Sequence, residues 1–113
     1  MPHCIIEYSK GLEAAISPDE LSSTVFQGAL ASGLFTPADI KTRVIPYTSY
    51  QVGETTAGFI HVTARILAGR NETQKANLSH QILERLQQID QPNTSYTVEV
   101  VDIDVASYAK SVS

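Results

Sequence analysis

Cysteine is all but absent. Cys4 is the only one in 113 residues, so no disulfide framework can form within the chain and packing must hold the fold. A lone thiol inside an apolar run usually serves as a small buried hydrophobe, and that is the expectation for Cys4. Positive charge is also scarce. Eight Lys and Arg stand against twelve Asp and Glu, a net charge of −4, and no basic run offers a track for phosphates. A nucleic-acid partner is not expected. Nowhere do 18 apolar residues run together, and no basic segment followed by an apolar one opens the chain. Neither a membrane span nor a secretory leader is therefore expected, and the chain reads as soluble and cytoplasmic. In that compartment the sequons at Asn71, Asn77 and Asn93 carry no weight.

The common chemical motifs are missing as well. There is no G-x-G-x-x-G and no P-loop to anchor a nucleotide, and no G-x-S-x-G to present a serine nucleophile. His3, His61 and His80 are not spaced as metal ligands. His3 and His61 begin equivalent strands and are expected to lie near each other, but no Asp, Glu or Cys supplies a third ligand. Neither a metal nor another cofactor is expected.

What is present is enough apolar sequence, 42%, for one small domain whose surface-to-volume ratio favours association. Residues 2–8 alternate Cys4, Ile6 and Tyr8 with His3, Ile5 and Glu7, a strand with both faces occupied. Ser17-Pro18-Asp19-Glu20 is a helix start: an N-cap serine, proline at the first helical position and glutamate at the third. Leu21, Val25 and Ala29, flanked by Phe26 and Leu30, make its apolar stripe, and Gly33 stops it. Thr36-Pro37-Ala38-Asp39 opens only a short turn. The segment from Thr42 to Tyr50 predicts a second strand, broken or bent near Pro46. After a turn at Val52-Gly53-Glu54, Gly58 to Leu67 alternates most strongly, with Ile60, Val62, Ala64 and Ile66 facing one way. Asn71 caps a long helix with Gln74 as its reciprocal partner. Leu78, Ile82, Leu83, Leu86 and Ile89 form that helix's stripe, and Tyr96 to Ile103 predicts a fourth strand.

The order strand, helix, strand thus occurs twice, at an offset of roughly 57 positions. The expectation is one α+β (α/β) domain spanning residues 1–113, with pseudo-repeats at about 2–50 and 58–104. Each βαβ unit crosses over right-handedly to make a parallel pair. Joining the two through the hairpin-like segment near Gly53 gives a four-stranded mixed sheet with both helices on one face. Ile5, Phe59, Thr63, Val101 and Ile103 then fall on the helix-free face, which predicts an oligomer.

Pro2 is the one residue that could be a base for a reason of position. If Met1 is removed, its nitrogen becomes a secondary amine, and a terminal amine placed in an apolar pocket or beside a cation has a lowered pKa. A free amine at neutral pH can act as a general base, and a ring nitrogen at a strand end has no rotamers to search. Lys41 and Arg43, two apart on a strand, project to one face, and Arg70 sits where the third strand leaves the sheet. Such cations suit a small anionic substrate in an otherwise acidic protein. Arg65, on the helix-free side, is an interface or a site residue. Tyr8, Tyr47 and Tyr50 are pocket or packing residues.

The opening "MPHCIIEYS", the block "GLFTPADIKTRV" and the segment "FIHVTARILAGRNETQKANLSHQILERL" together resemble the 5-carboxymethyl-2-hydroxymuconate isomerase family of the tautomerase superfamily, over nearly the whole chain. The resemblance implies a homotrimer with its sheets around a central axis and its helices outside. It implies that the N-terminal proline, here Pro2, shuttles a proton while arginines bind the substrate's carboxylates, with no cofactor. Arg70 falls on one such arginine; the other falls at Lys41, with Arg43 retained two residues on. The implied reaction is ketonisation of a 2-hydroxymuconate-type dienol to its 2-oxo-3-enoate. The alternatives are another reaction on the same scaffold, such as phenylpyruvate-type tautomerisation, dehalogenation or decarboxylation of an oxo acid, and a non-enzymatic trimeric binding or signalling module.

Overall fold

The computed structural model describes residues 1–113. The chain runs β1 (His3–Ser9), α1 (Pro18–Ala31), β2 (Lys41–Tyr47), β3 (Gly58–Leu67), α2 (Glu72–Gln87) and β4 (Thr94–Ile103), with short 3-10 turns at Lys10–Ala14, Pro37–Asp39 and Val105–Ser107. Both helices start where their capping residues dictate. The Ser17 hydroxyl accepts the Glu20 N–H at 3.1 Å, with Pro18 at the first helical position. At α2 the box is reciprocal: Asn71 Oδ1 accepts from Gln74 N–H at 2.8 Å, and Gln74 Oε1 accepts from Asn71 N–H at 3.0 Å. Gly33 follows α1 at φ +75, a left-handed conformation that stops a helix at little cost only with glycine.

The sheet order is β2-β1-β3-β4. β1 pairs with β2 and β3 with β4 in parallel, as two βαβ units require, and β1 pairs with β3 antiparallel. The two units therefore dock through their first strands. β2 and β3 are not neighbours. The segment near Gly53 that joins the two units is hairpin-like, as the sequence predicts, closed by backbone bonds of 2.9 and 3.0 Å between Val52 and Thr55, and it does not extend into a ladder between β2 and β3. Nor is β2 broken at Pro46, which pairs in register with Tyr8. β2 is an edge strand, and an edge tolerates a residue without an N–H.

Both helices lie on one face, α1 over β1 and β2, α2 over β4, each against the other. Cys4, Ile6 and Tyr8 of β1 and Ile60, Val62, Ala64 and Ile66 of β3 point into this core, where they meet Leu21, Val25 and Ala29 of α1 and Leu78, Ile82 and Leu86 of α2. Leu83 and Ile89 are only half-buried. Full burial of each Leu or Ile contributes roughly 1.5–3 kcal/mol, so the two helical stripes are the main reason the helices stay on the sheet. They meet closely at Gly28, where an added Cβ would stand 2.8 Å from Ile82 Cα.

The opposite face has no helix. Ile5, Phe59, Thr63, Val101 and Ile103 do face it, half-buried, but they share it with charged and polar groups. Tyr47 donates its hydroxyl hydrogen bond to Glu7, and His61 is held between Thr97 Oγ1 at 2.7 Å and Glu99 Oε2 at 2.6 Å. Because β1 and β3 run antiparallel, His3 lies opposite Arg65 and His61 opposite Glu7. The expected proximity of His3 and His61 does not occur. No helix is long and apolar enough to cross a membrane.

Candidate active site

Antiparallel docking brings the beginning of β1, the beginning of β2 and the ends of β3 and β4 to one end of the sheet. The parallel ladder between β1 and β2 starts there, with Lys41 N–H donating to the Pro2 carbonyl at 3.0 Å. With Met1 attached, Pro2 is fully buried and its nitrogen is a tertiary amide with no proton to exchange. The free amine of Met1 lies at the same place. Burial lowers its pKa most, and the ammonium of Lys41 lowers it further; Asp39 opposes this and Lys110 adds to it.

Arg70 reaches the same region from β3. The chain leaves that strand through Gly69 at φ +128, a backbone angle open to glycine and strained for other residues. The turn aims Arg70 across to the segment that follows α1. Its Nη2 donates to the Leu34 carbonyl at 2.8 Å, and its guanidinium lies 5.8 Å from the centre of the Phe35 ring. One N–H is committed to the backbone, and the cation sits over an aromatic face. The other donors remain free, which is the preorganised fork that carboxylate recognition needs.

Between Met1 and Arg70 lies a pocket of about 520 Å³, whose walls include Phe35, Asp39, Tyr108 and Lys110. Thr36 donates to Asp39 at 2.8 Å and holds that carboxyl below its usual range, so it stays ionised. Lys41 is adjacent but turned aside: its Nζ donates to the Asp39 carbonyl at 3.1 Å, and it does not line the pocket. Arg43 lies on the helix-free face, as its alternation with Thr42 and Val44 requires, with Nη1 3.2 Å from His3 Nδ1. The structure thus places Met1 and Arg70 on the walls of one pocket, with Pro2 buried next to Met1 and not itself on the walls, and leaves both Lys41 and Arg43 off them.

A guanidinium is donor only, so His3 Nδ1 must accept from Arg43. His3 is then neutral, with its proton on Nε2, donating to Tyr108 Oη at 3.0 Å. Burial and the positive charges of Arg43 and Lys41 all lower the His3 pKa, in agreement with that neutral form. Sequence reasoning missed Phe35, Asp39, Tyr108 and Lys110. Phe35 and Asp39 lie inside the "GLFTPADIKTRV" block, but the last ten residues have no period to mark them. Tyr47 and Tyr50 instead gather with Phe59 at the far end of the sheet, ring centres 6.0 and 5.3 Å from it. Tyr8 is buried in the core, donating to Glu13 at 2.7 Å, and burial pushes its hydroxyl up to about 12.

The profile of the 5-carboxymethyl-2-hydroxymuconate isomerase family matches residues 2–111. The chain belongs to that family. It is accordingly an isomerase of the tautomerase superfamily. Solved structures agree on the fold. A 5-carboxymethyl-2-hydroxymuconate isomerase from Deinococcus radiodurans R1 superposes with a TM-score of 0.84 at 21% identity, over 99% of this chain and 90% of that one. A 5-carboxymethyl-2-hydroxymuconate delta-isomerase gives 0.84 at 16%, over 100% and 89%. A fused 4-OT that forms a symmetric trimer gives 0.76 at 16%, over 96% and 90%. No curated protein sequence matches the chain. Within the isomerase family, the tautomerase-like sheet and helix layers are the shared framework, and the pocket at the sheet end is where this member places its terminal amine and its free guanidinium.

Proposed function

We propose that this chain is a cofactor-independent isomerase that ketonises a 2-hydroxymuconate-type dienol, 5-carboxymethyl-2-hydroxymuconate being the family's namesake, to its 2-oxo-3-enoate form. The observation that carries the reading is the shared pocket: the N-terminus and an unpaired Arg70 flank one cavity of about 520 Å³. Removal of Met1 turns the Pro2 nitrogen into a secondary amine in the place where burial and Lys41 lower the pKa of the amine now present. Such an amine is free to take a proton near neutral pH. In the reaction the 2-hydroxyl proton leaves oxygen, the C2–O bond becomes a carbonyl, and a proton carried by the Pro2 nitrogen is delivered to C5. The C2=C3 and C4=C5 double bonds are lost, C2=O and C3=C4 form, and the proton released by the hydroxyl returns the Pro2 nitrogen to its protonated state. Arg70 holds a carboxylate and stabilises the dienolate charge as it develops.

The working unit in this reading is a homotrimer. Its support is the helix-free face, where Ile5, Phe59, Val101 and Ile103 are only half-covered, together with the trimers among structurally similar proteins. The substrate is a small anionic dienol or oxo acid. The test combines intact mass with kinetics. Protein lighter by one methionine residue ketonises 2-hydroxymuconate, followed by ultraviolet absorbance, and Pro2→Ala is slower by orders of magnitude. Equal rates for the two refute the proline mechanism. A processed protein inert toward dienols but active on phenylpyruvate or another oxo acid selects the alternative reaction; a trimer inert toward all of them selects the binding module.

A further inference from the structure

We propose that Lys110, on the segment that follows β4, is the second carboxylate-binding cation of the pocket and the residue that selects substrates charged at both ends. The inference rests on the pocket being the substrate site, as read above. Two carboxylates at opposite ends of a short conjugated chain need two separated cations, because one guanidinium satisfies only one of them. Arg70 is one. The sequence offers Lys41 or Arg43 as the other, but neither lines the cavity: Lys41 is turned to the Asp39 carbonyl, and Arg43 lies against His3 on the other side of the sheet. Lys110 does line it, with Arg70, Met1 and Phe35.

The chain is bent to put it there. β4 ends beside β3, with Ala68 N–H donating to the Ile103 carbonyl at 3.1 Å, and the Val105–Ser107 turn then redirects the backbone across the sheet end. Tyr108 is pinned next, through the His3 bond at 3.0 Å and an edge contact between the two rings at 6.1 Å. Arg43 steadies His3 from the other side. Arg43 is thus a positioning residue, acting on the pocket through His3 and Tyr108. Two residues after this anchor, Lys110 makes no ion pair and no hydrogen bond within the protein. The one acid on the walls, Asp39, already accepts from Thr36. Arg70 and Lys110 against one carboxylate leave the cavity locally positive in a protein of net charge −4. Lys110 is also close enough to lower the terminal amine's pKa.

The experiment uses the full chain processed to Pro2 and two conjugated acids that cannot ketonise. Muconate has a carboxylate at each end, whereas sorbate has the same diene with only one. Calorimetric titration is expected to show the Lys110→Ala Kd for muconate raised about tenfold, the loss of one charge-assisted contact, with sorbate unchanged and Lys110→Arg close to the parent. In kinetics with 2-hydroxymuconate the same variant raises KM and leaves kcat within about threefold. Unchanged muconate binding in Lys110→Ala overturns the proposal. So does an equal loss for sorbate, or a parent that fails to prefer muconate. If the parent ketonises no dienol while Lys110→Ala still loses the muconate preference, the isomerase reading fails and the role of Lys110 stands.

Discussion

Gly28 is the position where a single added carbon has the most definite consequence. It lies in α1, fully buried, and a Cβ there would stand 2.8 Å from Ile82 Cα, 3.1 Å from Ile82 Cγ1 and 3.2 Å from the Gln81 carbonyl oxygen. Two of these three atoms are α2 backbone, so no rotamer change relieves the clash. Ordinary contact between carbons is about 3.5–4.0 Å, so the helices must separate by the better part of an ångström along a contact that also includes Val25, Ala29 and Leu78. Overpacking of this kind costs about 1–3 kcal/mol, and the better helix propensity of alanine returns up to about 1. A net loss of about 1–2 kcal/mol is expected for Gly28→Ala. In a chain of this size that lowers Tm by very roughly 4–12 °C, read by circular dichroism or calorimetry. Gly28→Val should be worse, because a branched side chain meets the same backbone. If Gly28→Ala melts at or above the parent temperature, the close approach of the two helices is not as described.

Two further perturbations bear on the site. Arg70→Lys keeps the charge but loses the planar fork, the bond to Leu34 and the cation–π contact with Phe35; because charge-assisted bonds contribute about 1.5–3 kcal/mol, kcat/KM is expected to fall about 10- to 150-fold, toward the lower end because the pocket is open to water. Parent-like kinetics for Arg70→Lys with 2-hydroxymuconate would remove Arg70 from the substrate's carboxylate. His3 has a pKa below its usual 6.5, from burial and from Arg43 and Lys41; the stabilisation it gives is therefore complete above about pH 6.5 and is lost as pH falls through the lower folded value. Melting curves from pH 7.5 to 5 should show this decline in the parent and a flatter profile in His3→Gln, whereas superimposable profiles contradict the neutral His3 between Arg43 and Tyr108.

The parts of the fold that were legible in the sequence are those set by local chemistry. Ser17-Pro18-Asp19-Glu20 and Asn71 to Gln74 mark helix starts because the capping partners are three residues apart, and both form. The alternation of Ile60, Val62, Ala64 and Ile66 marks β3 because side chains of a strand change face at every residue. The same rule places Lys41 and Arg43 on one face, which the register confirms. What alternation does not encode is which strands meet. The antiparallel pairing of β1 with β3 joins residues more than fifty positions apart, and it decides that His3 meets Arg65 rather than His61. Tolerance of Pro46 likewise follows only from β2 being an edge. Residues 104–113 have no apolar period, and their anchor is the contact of Tyr108 with His3, a pairing across more than a hundred residues that only the folded chain reveals.

The duplication also explains why the chemistry is gathered at one end only. Two βαβ units docked antiparallel are related by an approximate two-fold axis, so each end of the sheet should carry an equivalent cavity. The second one exists, a smaller hollow of about 250 Å³ between Gly11, Gly58 and the Gln91-Pro92-Asn93 connection. By the repeat offset Glu13 corresponds to Arg70, but it is not on the walls of that hollow: it accepts from Tyr8 at 2.7 Å and lies 3.6 Å from Lys10. Phe59 takes the place of Pro2, but it is preceded by 58 residues of chain, and its N–H donates to Ser9 at 3.0 Å. Geometry supplies two sites, while a chain terminus can occupy only one. The basic groups that an anionic substrate needs have collected around that one: Arg70 from the second unit and Lys110 from the tail.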